Sequence, residues 1–521
     1  MIDTKALRQK ILDMAIRGKL VPQNPNDEPA SVLLERIRAE KQQLIKEGKI
    51  KKDKNDSVIF KGDDNRYYEK VGSEVKDITD ELPFEIPDNW VWTRFSTLIR
   101  IISGVSYDKN DVATKGIRIL RGGNINDLRV TPFSDDVYLP ETYYDPDKQV
   151  QIDDVLIVAS TGSKEVIGKA GYVIEPLENT QIGAFLRIVR PLLKWYAPYV
   201  KLIFATEYYR EHIRHLSGGT NINNIKADYI NAFLISLPPY AEQIRIAERI
   251  NSLFEQIDII EQNQADIDTL YDEFRKRTLT LAIQGKLVPQ DSNDEPASVL
   301  LERIRAEKKA KLGKKYVDSY IYKSDDNCYY EKVGTNEPAR LDNLPFDIPD
   351  SWCWTRLENA VIINPRNDLP DNLEVSFVEM KAIADGYNNH FSAATRPWKE
   401  VKSGFTHFQN GDVGFAKITP CFQNRKSVVF SSLQNEYGAG TTELHILRPI
   451  RRTILPKYLL CFVKSPYLIE HGKQKFSGTA GQQRFGTDEV KKTLFPLPPL
   501  VEQDRIVKRA EIILEKLKDE D

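Results

Sequence analysis

An internal duplication limits the possible architectures of this chain more than any other feature. The run NDEPASVLLERIRAEK occurs at residues 26–41 and returns unchanged at 293–308. Four other motifs recur in the same order: GKLVPQ at 18–23 and 285–290, YYEKVG at 67–72 and 329–334, LPFEIPDNWVWTR at 82–94 against LPFDIPDSWCWTR at 344–356, and Leu-Pro-Pro with a following Glu-Gln at 237–243 and 497–503. Motifs repeated in register predict two copies of one structural unit.

The segments between the repeated motifs diverge. Residues 95–236 and 357–496 have similar lengths but share little sequence. Their apolar patterns predict mixed α and β structure in both inserts. Strands are expected at 116–121, 154–159, 375–380 and 426–430, and helices at 199–215 and 456–472. A nearly constant frame around two unlike inserts indicates one scaffold that presents two different readers.

Each frame copy is expected to contain a charged helix. It should run from Pro29 to about Lys46 in the first copy and from Pro296 to about Lys311 in the second, because Pro favours the first helical turn. The polar stretch that follows in the first copy, residues 51–79, is expected to be a loosely held connection.

Residues 242–284 are expected to form one long coiled-coil helix, roughly 60 Å long. Apolar residues recur there every seven positions, at Ile246, Leu253, Ile260, Ile267, Phe274 and Leu281. A second row lies four positions further on, at Ile250, Ile257, Gln264, Tyr271 and Thr278. Half of this pattern recurs at the head of the chain (Leu7, Ile11, Met14) and half at the tail (Ile506, Ala510, Ile513, Leu517). We therefore predict antiparallel pairing of the central helix with head and tail, forming a spacer rod.

Composition excludes several classes of protein. The 521 residues suffice for two or more domains, and 41% hydrophobic and 29% charged residues are ordinary for a globular chain. No apolar run approaches the ~20 residues of a membrane span, and we do not expect the polar N-terminus to act as a signal peptide. The four cysteines lack C-x-x-C spacing, so a reducing cytoplasm is expected. The net charge is −2, but residues 352–499 lean basic, with 19 Lys and Arg against 13 Asp and Glu.

The motifs GKLVPQ, NDEPASVLLERIRAEK, IPDNWVWTR and LPPYAEQ, with their second copies, make the chain resemble the specificity subunit of a Type I restriction-modification enzyme. The resemblance covers essentially the whole chain. It implies an α+β fold in which two mixed α/β target-recognition domains, in pseudo-two-fold arrangement, are separated by long antiparallel coiled-coil helices. The divisions expected are 1–89 (N-terminal helical region), 90–240 (first recognition domain), 241–351 (central region), 352–499 (second recognition domain) and 500–521 (C-terminal helix).

The resemblance also implies function and partners. Each recognition domain would read one half of a bipartite double-stranded DNA sequence. The helical rod would set the spacer and dock two methyltransferase subunits, with restriction/translocase subunits attached through them. The chain itself would be a non-catalytic part of a phage-defence system. It would hold no cofactor of its own, and S-adenosylmethionine, ATP and Mg²⁺ are expected on the partner subunits.

Polar loops are the candidate DNA contacts. Two are Gly-rich, at 217–226 and 477–486, and two more, at 160–169 and 417–426, follow strands at the same place in each copy. Amides suit adenine, Arg suits guanine and Lys suits phosphate. The first-copy candidates are Arg118, Arg121, Asn124, Ser163, Lys164, Thr220, Asn221, Asn223, Asn224 and Lys226. The second-copy candidates are Lys417, Gln423, Asn424, Arg425, Thr479, Gln482, Gln483 and Arg484, to which Arg366 and Lys381 could add contacts. Ordinary solvated loops are the alternative.

Patterns that would support catalysis are incomplete. Residues 237–240 are similar to the (Asn/Asp)-Pro-Pro-Tyr motif of amino-methyltransferases, but Leu237 cannot hydrogen-bond a target amine. Residues 370–381 fit a loose nuclease pattern that has no counterpart in the first copy. His212 and His215 lie one helical turn apart without a third metal ligand nearby. We therefore expect neither catalytic residues nor a metal site.

Two other functions stay open on sequence alone. A self-sufficient nuclease or methyltransferase would act on DNA as the lone chain, whereas we expect that chain to be inert. A coiled-coil adaptor without DNA specificity would bind two proteins, and the balanced charge of residues 90–240, 17 Lys and Arg against 16 Asp and Glu, does not exclude it. A gel shift with random duplex at low salt separates the adaptor from the DNA reader.

Overall fold

The computed structural model describes residues 1–50, 56–163, 165–216, 223–313, 316–479 and 482–517. The chain forms two compact units, Met1–Gln264 and Ala265–Asp521. Each unit combines helices with a sheet-rich insert, which confirms the predicted α+β class. The domain divisions and the pseudo-two-fold relation stay predictions. Among the described residues, no helix has the length and apolar character that a membrane crossing requires.

The first unit begins with two frame helices, α1 (Thr4–Ile16) and α2 (Ala30–Lys46). The Asp3 side chain caps α1 by accepting a hydrogen bond from the Ala6 amide at 2.9 Å. Gly18 follows α1 in the left-handed conformation, with φ of +67°. Pro29 directly precedes α2, so the charged helix predicted there is confirmed.

A three-stranded antiparallel sheet follows α2. Its strands are β1 (Ser57–Lys61), β2 (Tyr67–Val71) and β3 (Glu74–Asp77). The prediction of a loose connection over 51–79 is therefore wrong for the described residues from 56 onwards. Buried Ile59 packs in one cluster with Trp92, and Glu69 forms an ion pair with Arg94 at 2.5 Å. These contacts attach the sheet to the end of the frame.

The first insert contains two main sheets and short helices. Strand β4 (Val91–Arg94) ends the frame before the insert. The following strands are β5 (Ile99–Ser103), β6 (Ile117–Leu120), β7 (Ile125–Asn126), β8 (Leu128–Val130), β9 (Val137–Leu139), β10 (Val155–Val158), β11 (Ser160–Thr161), β12 (Ala170–Tyr172), β13 (Thr180–Ile182), β14 (Leu186–Pro191), β15 (Asn223–Asn224) and β16 (Leu234–Leu237). Its helices are α3 (Ala197–Ala205), α4 (Glu207–Leu216) and α5 (Ala227–Asn231). The strand orders are β5-β14-β10-β12-β8-β7 and β13-β6-β9, and β4 pairs with β16 where the insert joins the frame.

The long helix α6 (Tyr240–Ile283) follows the first insert and crosses the boundary between the two units. In the first unit it pairs with α1, and buried Ile11 and Leu12 share a core cluster with Ile246 and Ile257. At one end Gln23 Nε2 donates to Glu242 at 2.6 Å; at the other, Gln264 Nε2 donates to the Ile2 carbonyl at 3.4 Å. Residue numbers therefore rise along α1 as they fall along α6, which confirms antiparallel pairing.

The second unit repeats this plan with a different insert. Its helices are α7 (Ala297–Leu312), α8 (Leu357–Ala360), α9 (Trp398–Val401), α10 (Pro456–Lys464), α11 (Pro466–Gln474), α12 (Thr487–Lys492) and α13 (Leu500–Lys516). Its strands are β17 (Ser319–Lys323), β18 (Tyr329–Val333), β19 (Ala339–Leu341), β20 (Cys353–Arg356), β21 (Val361–Ile363), β22 (Glu374–Val378), β23 (Ala394–Pro397), β24 (Thr406–Gln409), β25 (Val413–Ala416), β26 (Ser427–Val429), β27 (Tyr437–Gly440), β28 (Leu444–Pro449), β29 (Phe476–Ser477), β30 (Arg484–Phe485) and β31 (Leu494–Leu497).

The sheets of the second unit follow the same logic. The frame again carries a three-stranded sheet, β17-β18-β19, and β20 pairs with β31 where the insert joins the frame. The insert itself holds two four-stranded sheets, β21-β28-β25-β26 and β23-β22-β27-β24. Helix α13 pairs with the last turns of α6, where Arg275 donates to the Leu517 carbonyl and buried Ala282 shares a core with Ile506.

One buried hydrogen-bond network occurs in both frames. In the first unit Trp90 Nε1 donates to Glu242 at 2.9 Å, close to the Gln23 bond. In the second, Trp352 Nε1 donates to Glu502 at 2.9 Å and Gln290 Nε2 to the same carboxylate at 2.5 Å. Burial raises the pKa of both glutamates. The network holds the repeated GKLVPQ and IPDNW/IPDSW segments on the first turn of a helix in each unit.

The predicted continuous apolar seam over five heptads of α6 is wrong in its middle. Ile267 is 46% exposed and Phe274 is 58% exposed, and residues 265–270 are all exposed. Contacts with α1 reach as far as Gln264, and contacts with α13 begin near Arg275. The head and tail helices together are therefore shorter than the helix that they cover.

Candidate nucleic-acid interface

Two polar loops of the first insert lie against each other. The first follows the fully buried strand β10, which ends at Val158. The Ile225 amide donates to the Ala159 carbonyl at 2.7 Å, and Ser160 pairs with Asn224 in the short β11·β15 ladder. The 160–169 loop and the described end of the Gly-rich loop are therefore in backbone contact, and their contribution to DNA binding stays a prediction.

The second insert brings its two loops together in the same way. The Phe485 amide donates to the Lys417 carbonyl at 2.9 Å, and the Thr419 amide donates to the Gln483 carbonyl at 3.0 Å. Ile418 and Arg484 form a β-bridge. Each unit thus builds one joint polar surface from two loops that are remote in sequence. We call the described residues of these surfaces loop pair 1 (160–163 and 165–169 with 223–226) and loop pair 2 (417–426 with 477–479 and 482–486).

Several predicted DNA contacts are accessible on these surfaces. On loop pair 1 the side chains of Asn224 and Lys226 are exposed, and that of Ser163 is half-exposed. Arg121 is exposed beside Gly122, where an added Cβ would lie 3.6 Å from Val158 at the end of β10. Arg121 therefore lies at the same end of the sheet as loop pair 1.

Loop pair 2 offers a different set of polar groups. Gln423, Asn424, Thr479 and Gln482 are exposed, and Lys417 and Gln483 are half-exposed. These amides can donate and accept together, as adenine recognition requires, and the lysine can neutralise phosphate. The two surfaces therefore share a backbone plan and differ in the side chains that they present.

Asn124 is a wrong prediction. Its side chain is 2% exposed, and it is fully used inside the domain. Its Oδ1 accepts from the Arg121 amide at 2.7 Å, and its Nδ2 donates to the Thr131 carbonyl at 3.1 Å and to Asp136 at 2.6 Å. Asn124 shapes the turn that carries Arg121 and has no group left for a base.

Three predicted arginines are engaged within the protein. Arg118 Nη2 donates to the Tyr138 hydroxyl at 2.9 Å. Arg425, at a φ of +57°, donates to the Lys464 carbonyl at 3.1 Å. Arg484 forms a bidentate pair with Glu443, with Nε–Oε2 and Nη2–Oε1 both at 3.0 Å, and this pair lowers the pKa of Glu443. The guanidinium donors of Arg484, which were predicted to contact guanine, are therefore already bound to Glu443.

The remaining candidates are placed as follows. Lys164, Thr220 and Asn221 lie outside the described residues, and Asn223 is described only by its backbone pairing with Thr161. Arg366 donates to the Phe405 carbonyl at 2.8 Å, and Lys381 pairs with Glu379 at 2.8 Å. Neither of these two belongs to loop pair 2.

Sequence reasoning missed one prominent residue that adjoins loop pair 1. Phe185 is 70% exposed, and its carbonyl accepts hydrogen bonds from the amides of Ala159 and Ser160 at 2.8 and 3.1 Å. In the second unit the equivalent bond runs from the Lys417 amide to the Glu443 carbonyl at 3.0 Å, so Glu443 is the counterpart of Phe185. An aromatic residue in an apolar run is normally expected to be buried in the core, so the sequence does not predict that Phe185 is exposed.

Comparison with known proteins places these features in a family. The family described as "Type I restriction modification DNA specificity domain" matches residues 87–269. The Type I restriction enzyme EcoAI specificity subunit of Escherichia coli is 43% identical over 241 residues. That match covers 46% of this chain but only 38% of the relative, well under two thirds of its length. The EcoKI specificity subunit of E. coli K12 is 25% identical over 82% of each chain.

A solved structure has a similar fold. It concerns complex assembly and conformational transition of the type I R-M system, and one of its chains aligns with a TM-score of 0.52 at 15% identity. The alignment covers 84% of this chain and 92% of that chain. At this identity the likeness concerns the fold alone.

Proposed function

This chain belongs to the family of Type I restriction-modification specificity subunits, and from that premise we propose that it is the DNA-reading subunit of such an assembly. Each unit reads one half of a bipartite target through its loop pair. The observation that carries the proposal is the repeated backbone plan with unlike side chains. The same hydrogen bond, from Ile225 to Ala159 and from Phe485 to Lys417, positions different polar groups in the two units.

Partners would bind the repeated frame rather than the inserts. The frame helices and the network around Glu242 and Glu502 are duplicated almost identically, so two copies of one partner could bind equivalent surfaces. We assign these surfaces to two methyltransferase subunits, with restriction subunits held through them. The assembly would act in the cytoplasm, where its DNA substrate lies.

The chain itself would not catalyse the reaction. Leu237, at the position where the amino-methyltransferase motif needs Asn or Asp, is a fully buried apolar residue at the end of β16. It can neither hydrogen-bond a target amine nor reach DNA. S-adenosylmethionine, ATP and Mg²⁺ would therefore act on the partner subunits.

A domain exchange tests the two-reader proposal. Residues 95–236 are replaced by the corresponding region of a relative, and methylated sites are sequenced from cells that also supply the partner subunits. We expect one half of the split motif to change and the other half to stay the same. Exchange of residues 357–496 is the matched control and should change only the opposite half. A change of both halves in either exchange contradicts the proposal.

The coiled-coil adaptor is tested separately by DNA binding. The purified chain is titrated into random duplex at low and at moderate salt. A DNA reader binds with an affinity that falls steeply as salt rises, because phosphate contacts release counterions. Absence of binding at low salt would favour the adaptor. Methylation or cleavage by the chain alone would favour a self-sufficient enzyme.

A further inference from the structure

The Phe185 side chain is apolar but exposed, so packing in the core does not explain its presence. At 70% exposure it is the most exposed aromatic side chain among the described residues. Burying a phenylalanine side chain stabilises a folded chain, and the fold forgoes that stabilisation here. A single exposed apolar residue needs no explanation by itself. Its surroundings are what make it informative.

The backbone that carries Phe185 is fixed at four points. Its carbonyl accepts from Ala159 and Ser160 at 2.8 and 3.1 Å. On one side the Gly183 amide donates to the Leu120 carbonyl at 2.9 Å, and on the other the Leu186 amide donates to the Gly183 carbonyl at 2.9 Å. The ring therefore projects from a rigid turn between β13 and β14, and it does not belong to a freely moving loop.

The backbone that carries the ring is joined directly to loop pair 1. Ser160, which donates to the Phe185 carbonyl, is also the residue that pairs with Asn224 across the two loops. Asn224 is exposed, and so is Lys226 two residues further along the chain. An aromatic ring among amides and a cation suits DNA better than an apolar protein surface, because bases present stacking faces and polar edges together.

The second unit shows that the frame does not require an aromatic residue at this place. Its counterpart Glu443 holds Arg484 in a bidentate ion pair. The same backbone position therefore presents a ring in one unit and an ion pair in the other. The aromatic ring is therefore a property of the first insert and is not required by the backbone plan that both units share.

Resting on the proposed function, we propose that Phe185 inserts its ring between adjacent bases of the half-site read by the first unit. Apolar wedges of this kind partly unstack one base step and favour sequences that deform easily. Phe185 would thus determine specificity at one step through the cost of deformation, while the polar side chains of loop pair 1 read base edges.

The test uses the full chain and a duplex that carries the split motif found by methylation-site sequencing. 2-Aminopurine is placed at successive positions of the first half-site, and its fluorescence reports unstacking. Wild type should raise the fluorescence at one step. Phe185→Ala should abolish that signal and weaken binding roughly fivefold to hundredfold, the usual effect of removing one base–aromatic contact. Phe185→Trp should retain the signal.

Ile174→Ala is the matched control. Ile174 is 52% exposed and follows Val173, whose amide bonds to Asp154 at the opposite end of β10. This variant should bind and unstack DNA as wild type does. The proposal that the ring inserts between bases is contradicted if Phe185→Ala keeps the affinity and the fluorescence of wild type. It is also contradicted if Phe185→Ala binds more weakly but wild type itself gives no unstacking signal. Failure of wild type to select any split sequence would instead overturn the proposed function.

Discussion

The His445 side chain, in the second insert, forms a hydrogen bond to the backbone of loop pair 2. It is fully buried, and its Nε2 donates to the Phe485 carbonyl at 2.7 Å. The Phe485 amide in turn donates to Lys417, so one imidazole supports the strand that joins both loops. Burial lowers the pKa of His445 to about 4, from an ordinary value of 6.5. The neutral ring is therefore the form that the folded insert requires.

We predict acid destabilisation of the second insert through this group. Between pH 6.5 and pH 4 the unfolded chain binds the proton and the folded chain does not, so stability falls as the pH falls through that window. The loss should reach about 3 kcal/mol. Hydrogen exchange of the Arg484 and Phe485 amides measures it. His445→Gln keeps a donor for Phe485 without titrating, so its exchange should depend less on pH. Equal pH dependence in both proteins would contradict the assignment.

The positive charge of Arg100 lies close to a second positive charge, that of Arg190. It lies directly opposite Arg190 on the neighbouring strand, and Arg190 is already paired with Asp154 at 2.6 Å. Burial and the charge of Arg190 lower the pKa of Arg100. The second unit has the same buried pair, Arg448 with Asp412, but Ile362 stands opposite the arginine.

We therefore predict that Arg100→Ile stabilises the first unit. Removing a like charge directly across the strands should gain roughly 0.2–1 kcal/mol. The free energy of opening β5 and β14, measured by hydrogen exchange in the full chain, gives the result. Arg129→Ile removes the same charge from an exposed position of the same sheet and should change that free energy little. A destabilised Arg100→Ile variant would show that Arg100 has a favourable partner.

At the scale of elements, the turn after α1 and the turn after α6 each contain a glycine in the left-handed conformation, in close contact with a proline. Gly18 and Gly285 have φ of +67° and +68°, and an added Cβ would lie 2.5 Å from Cγ of Pro87 and of Pro349. The left-handed conformation alone costs a residue with a Cβ roughly 1–2 kcal/mol. The prolines belong to the repeated IPDNW and IPDSW segments, so the clash adds to that cost.

We predict that Gly18→Ala and Gly285→Ala each destabilise their own unit by clearly more than Gly48→Ala. Gly48 has φ of +72° but no atom within 4 Å of an added Cβ. It therefore isolates the backbone cost, roughly 1–2 kcal/mol, from the clash. Urea unfolding followed by hydrogen exchange in each unit compares the three variants. Equal losses at all three positions would mean that Pro87 and Pro349 move aside.

The elements that sequence predicted well are those with long patterns. The duplicated frame, the long helix α6 and the buried strand β10 all follow from repeats or from sustained periodicity. The family inferred from the same motifs is confirmed. The sheet over β1 to β3 was missed because its strands are short and their outer faces are exposed, so their composition resembles a polar linker.

The candidate site was predictable only at the level of loops. Which loops meet follows from the strands that they extend, and in each unit the described residues of two candidate loops are in backbone contact. Which side chains stay free depends on distant partners, such as Asp136 for Asn124 and Glu443 for Arg484. No local pattern shows such partners. Phe185 was missed for the opposite reason, because exposure of an apolar residue is a tertiary property.

At the scale of the whole molecule, the exposed middle of α6 is a place where the helix can be lengthened to test whether it sets the gap between the two half-sites. Residues 265–270 are exposed, so an insertion there leaves the contacts of α1 and α13 intact. Seven added residues lengthen a helix by about 10.5 Å, or about three base pairs, and rotate its far end by only about 20°. We predict that this variant prefers a motif with both halves unchanged and a longer gap, by up to about three base pairs.

Binding by the lengthened variant should also be weaker. Three base pairs rotate DNA by about 100°, since one turn holds about 10.5 base pairs, and the added heptad does not follow that rotation. Methylation-site sequencing reads the gap directly. Ile267→Lys with Leu270→Lys changes the same exposed segment without lengthening it and should leave the gap unchanged. An unchanged gap after the insertion would mean that the helix does not set the spacer, whereas altered halves would mean that it also shapes the readers.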